Sequence, residues 1–277
     1  MFEFLTELTE KERKQLMRNA RYWSDRTEEI QARLTEKNRA AINKQLQKYY
    51  RQTADSILGQ FEATYYKVIS RIHEGKEPTP ADLYKMDSYW KMQAQLRQEL
   101  QKLGDKEAAL MHKQFIAQWQ EIYEALAMPN DLYFGEADLD LANTMINQIW
   151  CADGKTWSQR VWDNVDYLQQ RLNDSLIECV VAGRNPSYLK KMLLEDFGVC
   201  FENADMLVRT ELAHIQTQAA KQRYKDAGVT EVEIIADKDE RQCKVCGKLH
   251  KKRFPINGDV PIPAHPRCRC CIKPVIN

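Results

Sequence analysis

The sequence predicts a mainly α protein, an elongated multi-helix N-terminal region that ends in a small C-terminal α+β zinc-binding module. Three observations lead there. Apolar residues recur at helical spacing through most of the chain as far as Ala227. Beyond Gly228 the period changes to alternation through Val229, Glu231, Val232, Glu233 and Ile234, which is the pattern of a strand. Five of the eight cysteines then fall within two short clusters, Cys243-Lys-Val-Cys246 and His265-Pro-Arg-Cys268-Arg-Cys270-Cys271.

From about Thr9 to His73 there is no proline and one glycine, Gly59. A stripe through Leu34, Ile42, Leu46, Tyr49, Tyr50, Ile57, Phe61, Tyr65 and Ile69 predicts one very long helix, or two set end to end. Charged residues fill the other face, so the stripe should pack on neighbouring helices. Gly75 to Pro80 is a breaker, and Thr79-Pro80-Ala-Asp82 reads as a cap with proline at the first helical position. The next helix carries Leu83, Met86, Trp90, Met92 and Leu96 to about Leu103. Gly104-Asp105 is expected to interrupt it before a further helix through Leu110, Phe115, Trp119, Ile122 and Leu126. Met128-Pro-Asn-Asp131 ends that one, and Ala137 to Trp150 forms a shorter helix.

Cys151 to Lys155 is a loop, and a long helix runs from Thr156 to about Ala182 until Gly183-Arg-Asn-Pro186 stops it. Pro186 to Phe197 is expected as a short helix closed by Gly198, and Asn203 to Ala227 as the last one, closed by Gly228. The expected organisation is a helical N-terminal region over 1–151, a second helical part over 152–228, and a zinc-stabilised strand and loop module over 229–277.

Charge is balanced overall, 41 basic against 40 acidic side chains, so the whole chain favours no class of partner. The distribution is uneven: after Glu240 nine Lys and Arg face one acid, Asp259. Lys248, Lys251, Lys252, Arg253, Arg267 and Arg269 are therefore candidate contacts to nucleic acid, although the same charges would also solvate a small module and offset its thiolates. No run of eighteen apolar residues occurs, and the opening Met1-Phe-Glu-Phe-Leu-Thr-Glu is too acidic for a signal peptide, so a cytoplasm-like compartment and no membrane are expected.

A C-x-x-C knuckle sets two thiolates on one tight turn, and a second Cys/His cluster about twenty residues on can close a tetrahedral shell. Cys243, Cys246 and Cys268 are the first candidates, with His265 or Cys270 as the fourth ligand and Cys271 to spare. Disulfides are the competing account, but the remaining cysteines, Cys151, Cys179 and Cys200, are scattered through helical sequence. Four protein ligands leave zinc no open position, which makes the ion structural and argues against an enzyme. A zinc-dependent nuclease around His250 or His265 is the weaker alternative, since few carboxylates lie near these histidines and there is no phosphate loop or nucleophile elbow. A zinc-containing nucleic-acid-binding protein is the other, though the helix-borne histidine pair of a finger is missing.

Arg209 and Glu211, two apart on the last helix, cannot pair along one face. The Arg209-Thr210-Glu211 run is expected to make buried polar contacts joining this helix to the strand and the module, and His214 beyond it to be a core or surface residue and not a ligand. Arg209 and Glu211, together with Asp239 and Arg241 ahead of the knuckle, are the structural polar candidates.

The ordered set Leu207-Val-Arg-Thr-Glu211, Tyr224-Lys-Asp-Ala-Gly228, Asp239-Glu-Arg241-Gln-Cys243-Lys-Val-Cys246 and Pro263-Ala-His265-Pro-Arg-Cys268-Arg-Cys270 resembles the phage head morphogenesis domain of Mu F-like minor head proteins. Trp157-Ser-Gln-Arg-Val-Trp162 and Tyr22-Trp-Ser-Asp-Arg26 are similar to features of the same proteins in tailed phages and prophages. The resemblance spans roughly Trp157 to Cys270; the first 150 residues share only helical character. Gln242 stands where Thr is usual, and Ile262-Pro-Ala-His265 where Pro-Pro-x-His is common, and neither change removes a candidate ligand. The resemblance implies a few-copy minor head protein of the virion interior, present in the host cytoplasm during assembly. It implies association with the phage portal protein, and extends the expected partners to packaged double-stranded DNA and to scaffold or capsid proteins.

Overall fold

A computed structural model of the chain describes residues 10–72, 79–84, 87–126, 136–182, 184–236 and 243–275. The breaker at 75–78, the stop at 128–131, Met86, and the polar candidates Asp239 and Arg241 lie outside the described residues, as do the side chains of Ile69 and Leu83.

The protein is mainly α, as the periodicity predicts. The described residues form seven helices and one small sheet: α1 Glu10–Ile72, α2 Pro80–Tyr84, α3 Asp87–Ala125, α4 Leu139–Ile146, α5 Trp157–Val181, α6 Pro186–Asp226, β1 Glu231–Ile235, α7 Lys244–Leu249, β2 Arg253–Pro255 and β3 Cys271–Pro274. Several starts are set by side chains. At α5, Thr156 Oγ1 accepts from the Gln159 N–H at 3.3 Å while Gln159 Oε1 accepts from the Thr156 N–H at 2.9 Å, a reciprocal capping box. At α6, Asn185 Oδ1 accepts from the Tyr188 N–H at 2.9 Å and Pro186 holds the first helical position, where its missing N–H costs nothing.

Two helix breaks expected at glycine do not occur. α3 runs unbroken through Gly104, and α6 unbroken through Gly198. At Gly104 the reason is packing: a Cβ there would stand 2.5 Å from Cζ3 and 2.8 Å from Cη2 of Trp162, so glycine is present to let the indole of α5 against the helix. At Gly198 the apolar register carries on without a shift through Leu189, Leu193, Phe197, Cys200, Ala204 and Val208, all buried, and this continuous core face outweighs the roughly 1 kcal/mol that an interior glycine costs. Gly228 does end a helix: it adopts φ 78°, the left-handed conformation that closes α6. α4 is shorter than expected, stopping at Ile146, and Asn147 beyond it accepts a hydrogen bond from the Trp157 indole at 3.2 Å.

The two glycines make a paired prediction. Gly198→Ala meets nothing within 4 Å and should stabilise by about 1 kcal/mol through helix propensity. Gly104→Ala forces Trp162 to move, and overpacking of roughly 1–3 kcal/mol should cancel or exceed the same propensity gain. The urea midpoint should rise for Gly198→Ala and stay level or fall for Gly104→Ala; equal upward shifts would show that Trp162 does not press on α3.

The chain folds as two compact units that are discontinuous in sequence. One comprises Ala40–Lys113 and Asn147–Val208. Its core holds Ile42, Leu46, Phe61, Leu96, Leu103, Val161, Leu172 and Leu193, with a buried polar group in its midst: the Tyr50 hydroxyl donates to Glu107 Oε2 at 3.0 Å and accepts from Asn164 Nδ2 at 3.1 Å.

The other unit comprises Met1–Arg39, Gln114–Ile146 and Arg209–Asn277. Phe115, Trp119, Ile122, Leu212, Ile215 and Tyr224 form its helical core. A polar seam crosses it: Asn38 Nδ2 donates to Gln118 Oε1 at 2.6 Å, Gln118 Nε2 to Thr35 Oγ1 at 2.7 Å, the Thr35 hydroxyl to Gln216, and Gln31 Nε2 to the Ile272 carbonyl at 2.8 Å. Buried amides must be paired, so this chain of bonds fixes the register of the three helices and ties α1 to β3. The sheet is antiparallel in the order β2-β1-β3, with Val232 opposite Phe254 on one side and Ile234 opposite Ile272 on the other.

Candidate metal centre

The centre lies within the unit that contains the sheet. Cys243 is the N-cap of α7, and its Sγ accepts from the Cys246 N–H at 3.2 Å, so the knuckle is both a helix cap and a thiol pair. The second cluster lies on the loop leading into β3. This loop is tied to α6 by the Arg267 N–H, which donates to Thr210 Oγ1 at 3.2 Å. Arg267 adopts φ 62°, an uncommon conformation for a side-chain-bearing residue. Lys221 Nζ on α6 donates to the Gly258 carbonyl at 2.7 Å, a second tie to the same module.

This folding brings five side chains together. Cys243, Cys246 and His265 form one group whose ligand atoms all lie within 4.8 Å of one another, and Cys246, Cys268 and Cys270 form another, with Cys246 common to both. His265 Nε2 is 3.2 Å from Cys243 Sγ and 3.0 Å from Cys246 Sγ, and Cys246 Sγ is 3.8 Å from Cys268 Sγ. His265 Nδ1 is 2.8 Å from the Pro266 carbonyl, which places the ring proton there and turns the Nε2 lone pair towards the thiols. Such a cluster can hold a metal ion. The candidate Cys271 lies outside both groups: it is in β3, opposite Ile235.

The thiols differ in acidity. Hydrogen bonding from the Cys270 thiol holds Cys268 down to about 5 and, reciprocally, raises Cys270. Burial pushes Cys246 up to about 12, and the Cys246 N–H lowers Cys243. The Pro266 carbonyl raises His265. Several neighbouring thiolates repel, and a divalent cation relieves that repulsion.

The polar candidates fall as follows. Glu211 is buried and Arg209 half-buried on α6, and Arg209 lines a cavity of about 440 Å³ together with Cys268, Cys270 and Arg269. Between them Thr210, the middle residue of the same run, makes the bond to the loop. His214 is buried, and burial lowers it to about 4. His250 caps the end of α7, its Nδ1 accepting from the Ala236 N–H at 3.2 Å, and belongs to neither ligand group. Lys248, Lys251, Lys252, Arg253, Arg267 and Arg269 are all exposed, and Arg253 stands 3.6 Å from Glu233. None of the described helices is long and apolar enough to cross a membrane.

The chain has no match among curated proteins or among solved structures. The family described as Phage Mu protein F like protein matches it over residues 170–273. That span takes in the C-terminal part of α5, all of α6 and the cysteine and histidine cluster, beginning somewhat after and ending just beyond the motifs Trp157 to Cys270 that carry the resemblance. Over residues 170–273 the chain is similar to the Phage Mu protein F like family.

Proposed function

We propose that the protein is a minor head protein of a tailed phage or prophage, acting from the capsid interior by associating with the portal, and that a structural zinc ion holds its C-terminal module together. The family match over residues 170–273 carries the first part of this reading. The donor set supports the second: soft thiolates with an imidazole suit zinc. Zn–S bonds of about 2.3 Å at tetrahedral angles separate two sulfurs by about 3.8 Å, the distance between Cys246 and Cys268. The imidazole edges, 3.2 and 3.0 Å, would open slightly, since zinc would set them at about 3.6 Å.

Cys243, Cys246, His265 and Cys268 form the first coordination shell in this reading. Cys270 donates its S–H to the Cys268 thiolate, and the Pro266 carbonyl orients His265 from behind. Four protein ligands fill a tetrahedral ion and leave no position for a reacting water, so the protein acts without catalysis. The exposed cations on α7, on the turn before β2 and on the loop before β3 are suited to salt-sensitive contact with packaged double-stranded DNA.

The portal assignment is tested by co-expressing the full chain with the portal protein encoded beside it. A tag on either one should recover both at physiological salt. Recovery of neither partner by the other, with both folded, would remove the portal from this reading while leaving the metal centre intact.

A further inference from the structure

A second recessed site lies in the unit formed by Ala40–Lys113 and Asn147–Val208, where α2 and the first turns of α3 meet α5. It is a cleft of about 620 Å³, within the range of ligand-binding clefts. One end is aromatic. Tyr84 is 45% exposed and Trp90 56%, far more than an aromatic ring retains when it serves a core. Their ring centroids are 6.2 Å apart with planes inclined by 30°, and Tyr89 closes the cluster beneath them with ring centroids 5.4 and 5.3 Å from theirs. The arrangement is fixed: Trp90 Nε1 donates to the Tyr84 carbonyl at 2.8 Å, and the Tyr89 hydroxyl to Asn173 Oδ1 at 2.7 Å.

The rest of the cleft is lined by amides. Gln93 Nε2 also donates to Asn173 Oδ1 at 2.7 Å, so that this oxygen accepts from both Gln93 and Tyr89 and the carboxamide is held in one orientation. Gln169 and Gln170 on α5 add further amide donors. Arg97 and Asp166 contribute one charge of each sign, so the lining is neutral, which disfavours a polyanion such as nucleic acid.

We propose that this cleft binds an extended, proline-bearing peptide segment, its pyrrolidine rings stacked on Tyr84 and Trp90 and its backbone carbonyls held by the amides of Gln169, Gln170 and Asn173. A polyproline II segment has no internal hydrogen bonds and presents carbonyls without matching N–H groups, so donor-rich amides beside exposed aromatic rings complement it. It is also ordered before binding, so little entropy is lost in a shallow site. α3 offers Trp90, Gln93, Ala94 and Arg97 along one wall and α5 offers Asp166, Gln169, Gln170 and Asn173 along the other, each over about 10 Å of helix, room for roughly three residues at polyproline rise. The partner is a protein carrying such a segment in accessible, extended form. The proposal depends neither on the metal nor on the portal assignment.

The test uses the full chain titrated with a decaproline peptide, a Gly/Ser decapeptide and maltoheptaose, read by calorimetry and by the indole N–H resonance of Trp90, assigned with Trp90→Phe. Decaproline should bind and shift that resonance, and the Gly/Ser peptide should do neither. A Tyr84→Ala/Trp90→Ala variant should bind at least about tenfold more weakly, equivalent to about 1.4 kcal/mol, while still unfolding cooperatively with a modestly lowered melting midpoint, because each ring buries only part of its surface on Tyr89. Gln170→Ala, a milder change at an exposed position, should weaken binding without altering the fold. Absence of decaproline binding, wild-type affinity retained by the Tyr84→Ala/Trp90→Ala variant, or a Trp90 shift produced by maltoheptaose alone would each overturn the proposal.

Discussion

Replacing Cys243 and Cys246 together with serine should strip the metal from the protein and unfold the loops around the centre. Protein purified without chelator should carry about one zinc per chain, and the double variant none. The energetic reason is the size of the module. Its sheet strands are five, three and four residues long and α7 is six, too little apolar surface to fold on its own. Zinc bound to peptide modules of this kind contributes about 10–16 kcal/mol in apparent binding free energy, much of it available only once the ligands are assembled.

The damage should be graded. β3 is also held by Gln31 Nε2 and, at 3.4 Å, by the Tyr224 hydroxyl, both bonded to the Ile272 carbonyl, whereas α7 and the His265–Cys270 loop are joined to the rest of the unit through the centre, the His250–Ala236 bond and Thr210. Hydrogen exchange should therefore accelerate most over 243–270 and least in β3 and α6. Single variants separate the ligands: His265→Ala and Cys268→Ser should lose zinc, while Cys270→Ser should keep it more weakly and Cys271→Ser should keep it fully. A metal-free wild-type protein with freely alkylated thiols at 243 and 246 would sink the idea, and full zinc retention by His265→Ala would transfer the fourth position to Cys270.

The fold class and the gathering of cysteines and a histidine were legible because each depends on local spacing. The stripe from Ile42 to Tyr65 is buried along α1 as its period requires, and the C-x-x-C turn with its later Cys/His partners reaches one locus as its spacing implies. What was not legible depends on neighbours distant in sequence. Gly104 reads as a breaker until Trp162 is placed against it, and Gly198 until α6 is seen to bury one face through it. The seam of Gln31, Thr35, Asn38, Gln118 and Gln216 carries no periodic signal, since polar residues on an amphipathic helix read as solvated. Within the Arg209-Thr210-Glu211 run the spacing does not say which side chain meets which group of the module, because the partner of Thr210 is a backbone N–H 57 positions away.

The stability of the wild-type protein should fall as pH rises from about 4.5 to 7, and Glu107→Gln should abolish that part of the slope. Glu107 is fully buried; its Oε2 accepts from the Tyr50 hydroxyl, and its Oε1 has no hydrogen-bond partner. Burial raises its carboxyl from 4.5 to about 7, against the opposing effect of the Tyr50 hydrogen bond. Between those values the native state keeps a proton that the unfolded chain has released, so rising pH favours unfolding. The loss is complete above pH 7 and amounts to about 3 kcal/mol, since each pH unit between the two values contributes about 1.36 kcal/mol. Glutamine fills the same volume without a charge, at a cost of roughly 1 kcal/mol for the amide N–H₂ set where Oε1 had no partner. At pH 8.5 the variant should therefore be the more stable by about 2 kcal/mol, and at pH 4 slightly the less stable. His214 imposes a slope of opposite sign: burial lowers it to about 4, so the stability it provides is present above its unfolded value near 6.5 and lost as pH falls towards 4. Because wild type and variant share His214, the difference between their urea-unfolding free energies, measured from pH 4 to 8.5, isolates Glu107. Parallel pH profiles for the two proteins would mean that Glu107 ionises inside the fold without penalty.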